Sequence, residues 1–272
     1  MQIVPNSVNI LGVNVQAWRV SELHQEIENK IKSNQHSLVL NVNAFALNLA
    51  YENLWMRDLF NKADIVFCDG SGVMLGAKIL GYHIPVRITY ADWIWQLARF
   101  AEPLGFSFFF LGGRPGIAEI AAAQLMDRFP DLRILGIHHG YFDKTPGSDQ
   151  NEAIVEKINA IKPNILIIAF GMPLQERWLF DNWDCIDANI ALTGGAAFDY
   201  VSGELIRAPH WMTEHGMEWL GRLLIEPARL WRRYLLGNPQ FLWRVIRQKY
   251  GLLPIQESEL GLSSKIDATG GE

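Results

Sequence analysis

Five short polar or glycine-rich stretches each follow an apolar run, and each carries residue types suited to binding or transforming a phosphorylated substrate. Phe67-Cys68-Asp69-Gly70-Ser71-Gly72 sets a carboxylate beside glycines, whose missing side chains let a ligand approach the backbone. Asp69 there is either the cap of the next helix or a general base within reach of a substrate hydroxyl, and the residue types leave both open. Asn41-Val42-Asn43 offers two amides, of which Asn43 reads first as a helix N-cap. In Phe110-Leu111-Gly112-Gly113-Arg114-Pro115-Gly116 a strand, a glycine turn and a helix start follow in order. Free N–H groups and the helix dipole would favour phosphate there, while a tight turn without ligand fits the same residues. Gly171-Met172-Pro173-Leu174-Gln175-Glu176 and Thr193-Gly194-Gly195-Ala196-Ala197-Phe198-Asp199-Tyr200 complete the set. Gln175 is a first-turn helix residue or a pocket residue, and Asp199 a backbone-satisfied loop residue or a ligand contact. The placement of all five at the ends of apolar runs points to one crevice.

Missing motifs narrow the chemistry. Neither G-x-G-x-x-G nor G-x-x-x-x-G-K-[ST] occurs, which removes the dinucleotide fingerprint and the P-loop. There is no H-E-x-x-H, no G-x-S-x-G and no D-x-D, the arrangement by which many sugar-nucleotide transferases hold a divalent metal. His138-His139 lack acids or cysteines at ligand spacing and read as ordinary loop histidines; no metal site is expected. If a diphosphate departs in the reaction, arginines are left to stabilise it, since a guanidinium binds phosphate bidentately.

The elements that must position these residues alternate. Apolar runs at Leu38–Val42, Ile65–Cys68, Ser107–Leu111, Ile134–Ile137, Ile165–Ala169 and Ile190–Thr193 predict strands. Helical-period runs at Ala44–Asn61, Gly72–Leu80, Tyr90–Glu102, Pro115–Phe129, Asp149–Ile161 and Pro173–Trp183 lie between them. The expected fold class is α/β: a Rossmann-like, mostly parallel sheet with helices on both faces, which puts a ligand at the carboxyl ends of the strands. After about residue 204 only helical candidates remain, punctuated by Pro209, Pro227 and Pro239. The expected organisation is an α/β body over 1–203, a basic aromatic helical appendage over 204–250 and a disordered tail over 251–272.

With 272 residues the chain can bury a core without disulfide or metal staples. Cys68 and Cys185 are too few for a disulfide framework and fit a reducing compartment. No run approaches the ~18–20 uninterrupted apolar residues that span a bilayer. Residues Met1 to Asn6 hold no basic segment leading into an apolar one, so neither a signal peptide nor a spanning protein is expected. The net charge of −5 argues against a nucleic-acid partner. Charge is divided unevenly, since Arg222, Arg229, Arg232, Arg233, Arg244, Arg247 and Lys249 meet only Glu226 in their segment. That segment carries +6 and leaves −11 on the rest of the chain. With Trp211, Trp219, Trp231 and Trp243 in or just before it, the tail suits an anionic partner such as a membrane surface.

Read in order, several of these stretches resemble the WecG/TagA/CpsF family over roughly residues 8 to 249. They are Asn41-Val42-Asn43, Ala63-Asp64 with Asp69-Gly70-Ser71-Gly72, Pro85-Val86-Arg87-Ile88-Thr89, Leu111-Gly112-Gly113, Gly140-Tyr141-Phe142, Gly171-Met172-Pro173-Leu174-Gln175-Glu176 and Gly194-Gly195-Ala196-Ala197-Phe198-Asp199. The tail adds Arg207-Ala208-Pro209, Glu218-Trp219-Leu220-Gly221-Arg222-Leu223 and Glu226-Pro227-Ala228-Arg229-Leu230. The resemblance implies an inverting, metal-independent glycosyltransferase that needs no cofactor beyond its UDP-sugar donor. It implies transfer of N-acetylmannosamine, its uronic acid or a related hexose from UDP onto a polyprenyl-diphosphate-linked sugar. Such products feed teichoic acid-like, capsular or exopolysaccharide synthesis. A cytoplasmic protein bound peripherally to the inner face of the membrane follows, with the oligomeric state open, a homo-oligomer included. By the same resemblance Asp69 corresponds to the base, and Arg87 and Gln175 to substrate-pocket residues beside Asn41 and Asn43. Arg222, Arg229 and Arg232, at the family's spacing of 7 and 3, correspond to tail arginines that reach the nucleotide diphosphate. Members often carry Thr where this chain has Asn41. The uridine is expected near Gly112, Gly113 and Asp199. Two rival readings are a nucleotide-dependent oxidoreductase, which should carry the missing fingerprint, and a non-catalytic membrane-surface module built on the basic tail.

Overall fold

The computed structural model describes residues 5–214 and 216–255. In chain order they form β1 (Ser7–Ile10), β2 (Val13–Gln16), α1 (Val20–Lys32), β3 (Ser37–Val42), α2 (Ala44–Glu52), α3 (Leu54–Lys62), β4 (Ile65–Cys68), α4 (Ser71–Ile79) and α5 (Tyr90–Ala101). Next come β5 (Ser107–Gly112), α6 (Ile117–Arg128), β6 (Arg133–His138), α7 (Asp149–Ile161), β7 (Ile165–Ala169), α8 (Leu174–Asn182), β8 (Ile190–Thr193) and α9 (Ala197–Ser202). The tail contributes α10 (His210–Glu214), α11 (Glu218–Ile225), α12 (Pro227–Trp231), a π-helical turn over Arg232–Leu236, and α13 (Gly237–Lys249).

The strands join one sheet in the order β1-β2-β4-β3-β8-β7-β5-β6, with only the β1–β2 pair antiparallel. β3, β5, β7 and β8 are buried along their whole length, as parallel strands covered on both faces must be. Their period of two splits the core. Leu38, Leu40 and Val42 enter one apolar cluster with α2, α3, α4, α7, α8 and α13, and Val39 enters the other with α1, α5, α6 and α9. Helices therefore cover both faces, and the α/β expectation is met with all six expected strands in place.

Three local features differ from the sequence reading. The β1–β2 hairpin and α1 precede the expected start of the alternation. The expected helix Ala44–Asn61 is two helices, because Asn53 takes extended φ/ψ and its side-chain amide donates to Leu49 O at 2.9 Å. His138 is the last residue of β6 rather than a loop residue.

The tail is built into the body. Phe241 and Val245 of α13 are buried in the first core cluster, packed against α2 and α4. Polar contacts lock the fit: Asn48 Nδ2 donates to Gly237 O at 2.8 Å, and Arg244 pairs with Glu52 at 2.6 Å. Gln248 both accepts from Leu11 N and donates to Asn9 O at 2.8 Å, tying α13 to the hairpin. The expected tail over 251–272 lies outside the described residues from 256 onward; within them, Tyr51 Oη donates to Pro254 O at 3.1 Å. Phe241→Ala should cost about 3–5 kcal/mol for the lost burial and the cavity. Gly76→Ala, whose new methyl would meet the Phe241 ring at 2.9 Å, should cost about 1–3 kcal/mol. Denaturant titration checks both, and unchanged midpoints would contradict the packing of α13 into the body.

Candidate active site

β4, β3, β8 and β7 are successive parallel neighbours, so their carboxyl ends deliver Asp69, Asn41, Thr193 and Gln175 to one edge of the sheet. Asp69 follows β4 directly, and its N–H donates to Val42 O at 2.8 Å. Its carboxylate accepts from Asn41 Nδ2 at 2.8 Å. Asn41 is itself held, because Thr193 Oγ1 donates to its Oδ1 at 2.8 Å. Three adjacent strands thus aim one carboxylate.

The helix-cap alternative for Asp69 falls away, since Gly70 (φ +133°) is the N-cap of α4 and makes no side-chain cap bond. Asn43, in contrast, is a cap: its Oδ1 accepts from Phe45 N at 3.1 Å and Ala46 N at 3.0 Å. Burial pushes the Asp69 carboxyl up to about 6; Glu218 adds to the rise, while Asn41, Arg222 and Arg233 oppose it. Such a group is ionised at neutral pH yet basic enough to take a proton.

A second relay reaches the same edge. Gln175, almost fully buried, accepts from Gly195 N at 3.0 Å and donates through Nε2 to Glu176 Oε1 at 2.8 Å. Glu176 is completely buried and its other oxygen has no partner. Burial pushes its carboxyl up to about 7, against the pull of the Gln175 bond and Arg233.

The tail lies across this edge. Arg87, from the segment before α5, pairs with Glu218 of α11 at 2.7 Å and donates to Thr213 O, and Arg207 pairs with Asp92 of α5. Arg87 thereby anchors the tail beside Asp69. Arg222 lies over the Tyr200 ring, 5.8 Å from its centre, with a buried Nε that has no partner. Arg229 is exposed and paired with Glu226 at 2.8 Å. Arg232 is exposed, its guanidinium 5.2 Å from the centre of the Trp231 ring. Arg233 turns inward instead, stacked 4.7 Å from the centre of the Phe45 ring, with a buried and unpartnered Nε. The spacing of 7 and 3 assumes one continuous helix. The chain breaks at Glu226 (φ −128°) and then passes through the π-helical turn, which shifts the phase by about one residue.

Gly112 (φ +149°) sits where a Cβ would strike Ala169 O at 2.4 Å, so close strand packing requires glycine there. Gly113 N–H is committed to Ala169 O at 3.0 Å, which removes one donor from the expected phosphate cradle. Asp199 lies in the first turn of α9; burial raises its carboxyl, opposed by Arg114 and Arg229, and Arg114 pairs with Glu204. The residues that sequence reasoning did not single out are Glu176, Thr193, Glu218 and Arg233. Glu176, Thr193 and Glu218 stand inside the quoted motifs, so their position was a signal. Arg233, counted there only as a charge, is legible only once the tail is folded against the body. Among the described residues no group of three or more His, Cys, Asp or Glu is arranged to hold a metal ion.

Comparison with known proteins bears on this edge. The model of the glycosyl transferase WecG/TagA/CpsF family matches residues 8–253. An N-acetylglucosaminyldiphosphoundecaprenol N-acetyl-beta-D-mannosaminyltransferase of Staphylococcus aureus (strain NCTC 8325 / PS 47) is 25% identical over 244 residues, covering 89% of this chain and 93% of that protein. The protein of the same name from strain MW2 is 24% identical over the same shares.

The buried Glu176 carboxyl gives a stability prediction. It ionises near 4.5 when unfolded and near 7 when folded, so its contribution is fully present below the first value and lost as pH rises through the second. Glu176→Gln cannot ionise. Relative to the parent, its stability should therefore rise by the order of 2–3 kcal/mol between about pH 5 and about pH 8. Urea titrations at the two pH values check this, and a constant difference would contradict it.

Proposed function

The chain belongs to the WecG/TagA/CpsF family of glycosyltransferases, and on that premise we propose that it transfers an N-acetylmannosamine-type sugar from UDP to a polyprenyl-diphosphate-linked sugar by single displacement with inversion. The observation that supports this reading is a strand-held Asp69 carboxylate that the half-buried tail guanidiniums of Arg222 and Arg233 are near enough to influence, each of them keeping a buried Nε without a protein partner. In the proposed step Asp69 takes the proton of the acceptor hydroxyl as that oxygen attacks the anomeric carbon. The bond from that carbon to the UDP oxygen breaks, and the electron pair leaves with the diphosphate. In this reading Arg222 and Arg233 neutralise the departing charge by preorganised electrostatic stabilisation. Metal independence is part of the proposal and rests on those guanidiniums together with the missing D-x-D. A nucleotide-dependent oxidoreductase is set aside by the family membership.

The acceptor's polyprenyl chain places the reaction at a membrane surface. No described helix is long and apolar enough to cross a membrane. The tail instead exposes Leu224, Trp231, Leu235, Leu236 and Trp243 next to Arg229 and Arg232. Apolar and aromatic side chains mixed with arginines suit the interface of an anionic leaflet, and the reading includes peripheral attachment to the cytoplasmic face.

Asp69→Asn should lower transfer by about 10²–10⁴-fold while UDP binding stays near the parent value. The assay supplies UDP-N-acetylmannosamine and a soluble short-chain lipid-diphosphate acceptor, and near-parental turnover in the folded variant would overturn the base assignment. In the parent, kcat/KM should fall on the acid side with a midpoint near 6, since the protonated Asp69 accepts nothing. Added EDTA should leave the rate unchanged; strict dependence on magnesium or manganese would assign leaving-group stabilisation to an ion instead of the arginines. Co-sedimentation with anionic vesicles should fall about tenfold for the double variant Leu235→Glu, Trp243→Glu, and unchanged binding would move the membrane contact elsewhere.

A further inference from the structure

We propose that Glu176 is a positioning residue for transfer, acting through Gln175 and the Gly194–Gly195 loop on the aim of Asp69. This deepens the reading of Asp69 as the base and rests on it. The two relays are mirror images about the end of β8. On one side Thr193 Oγ1 donates to Asn41 Oδ1, and Asn41 Nδ2 donates to Asp69. On the other, two residues further along, Gly195 N donates to Gln175 Oε1, and Gln175 Nε2 donates to Glu176.

An amide side chain has one accepting end and one donating end, so its orientation is set by what stands at each. Glu176 Oε1 accepts whether the carboxyl is ionised or carries its proton on the unpartnered Oε2. Glu176 therefore forces the Gln175 amino group toward itself and presents Gln175 Oε1 to the backbone of the β8–α9 loop. Gly195 stands at φ +59°, with open space where a side chain would be, so no packing holds that residue itself. Its own restraint is the Gln175 bond, while the preceding Gly194 packs closely against Ile167 and Ala197, donates to Ile168 O at 2.7 Å and accepts from Ala197 N at 3.0 Å. Without Glu176, Gln175 gains nothing by pointing its amino group inward. A flipped amide would set a donor against the Gly195 donor, and the loop would be pushed off its seat. Thr193 immediately precedes that loop and carries the hydroxyl that fixes Asn41. A displacement there passes in two hydrogen bonds to Asp69.

The complete burial of Glu176 makes this a retained cost rather than an accident of packing. A fully buried carboxyl with one orphaned oxygen is unfavourable unless the bond it accepts is needed. The demand on Glu176 is for an acceptor, which distinguishes it from a group needed for charge or for proton transfer. Gln at position 176 retains an accepting oxygen within reach of Gln175 Nε2; Ala does not.

The experiment measures kcat, KM for UDP-N-acetylmannosamine and UDP affinity for Glu176→Ala, Glu176→Gln, Gln175→Ala and the double variant. Glu176→Ala should lose about 10- to 100-fold in kcat with UDP affinity within about threefold of the parent, the scale of a small misplacement of a catalytic group. Glu176→Gln should recover to within about threefold of the parent. The double variant should be no slower than Gln175→Ala alone, because Glu176 acts through Gln175. An unchanged kcat in Glu176→Ala, a Glu176→Gln as slow as the alanine variant, or additive losses in the double variant would each overturn the proposal. Should the alanine variant fail to fold, Glu176→Asp withdraws the acceptor by one methylene and is held to the same loss. Asp69→Asn is run beside them: if it retains turnover the base assignment fails, whatever the Glu176 variants do.

Discussion

A carboxylate enclosed by protein, held by a strand-borne amide and within electrostatic reach of guanidiniums from a different part of the chain, is the constraint on which this molecule turns. Burial raises the Asp69 carboxyl, and Glu218 raises it further. The Asn41 bond and the tail arginines pull the other way and hold it near 6. The arginines face the reciprocal problem, since burial without a counter-charge is costly and pulls Arg233 below its ordinary value. The two arginines and Asp69 each lessen what burial costs the other, and each guanidinium retains a buried Nε with no protein partner.

That opposition explains why the tail is attached so firmly. Arg222 and Arg233 are far in sequence from Asp69, and their alignment depends on α13 being seated between α2 and α4 through Phe241 and Val245. Glu218 is recruited twice: it holds Arg87, and it raises Asp69 further. The same segment turns Leu224, Trp231, Leu235, Leu236 and Trp243 outward. One helical tail thus packs on the body along its inner side and exposes apolar and aromatic side chains along its outer side.

The parts of this arrangement carried by local pattern were legible in the sequence. The apolar runs fixed six strands of a parallel sheet. Strand-end reasoning then brought Asn41, Asp69 and Gln175 to one edge, because in a parallel sheet every carboxyl end points the same way. The hairpin went unseen although Val8, Ile10, Val13 and Val15 alternate across Leu11-Gly12, a two-residue turn with strand-period flanks. Residues 222, 229 and 232 share a face only on an unbroken α-helix. The break at Glu226 and the π turn interrupt that face, and Arg233 comes to lie over the Phe45 ring. The split at Asn53 belongs to the same class, since a side chain competes there for backbone bonds that periodicity alone assigns to a helix.

The most direct measurement is a calorimetric titration of UDP and of uridine, without divalent metal, into the parent and into Arg233→Ala. Hydrogen bonds to charged groups contribute about 1.5–3 kcal/mol each, which converts to about 10- to 100-fold in Kd. If the inward tail guanidinium meets the diphosphate, UDP affinity falls by that factor in the variant while uridine affinity stays the same. Equal UDP affinities in the parent and in a folded Arg233→Ala would contradict the pairing of tail and crevice as one site.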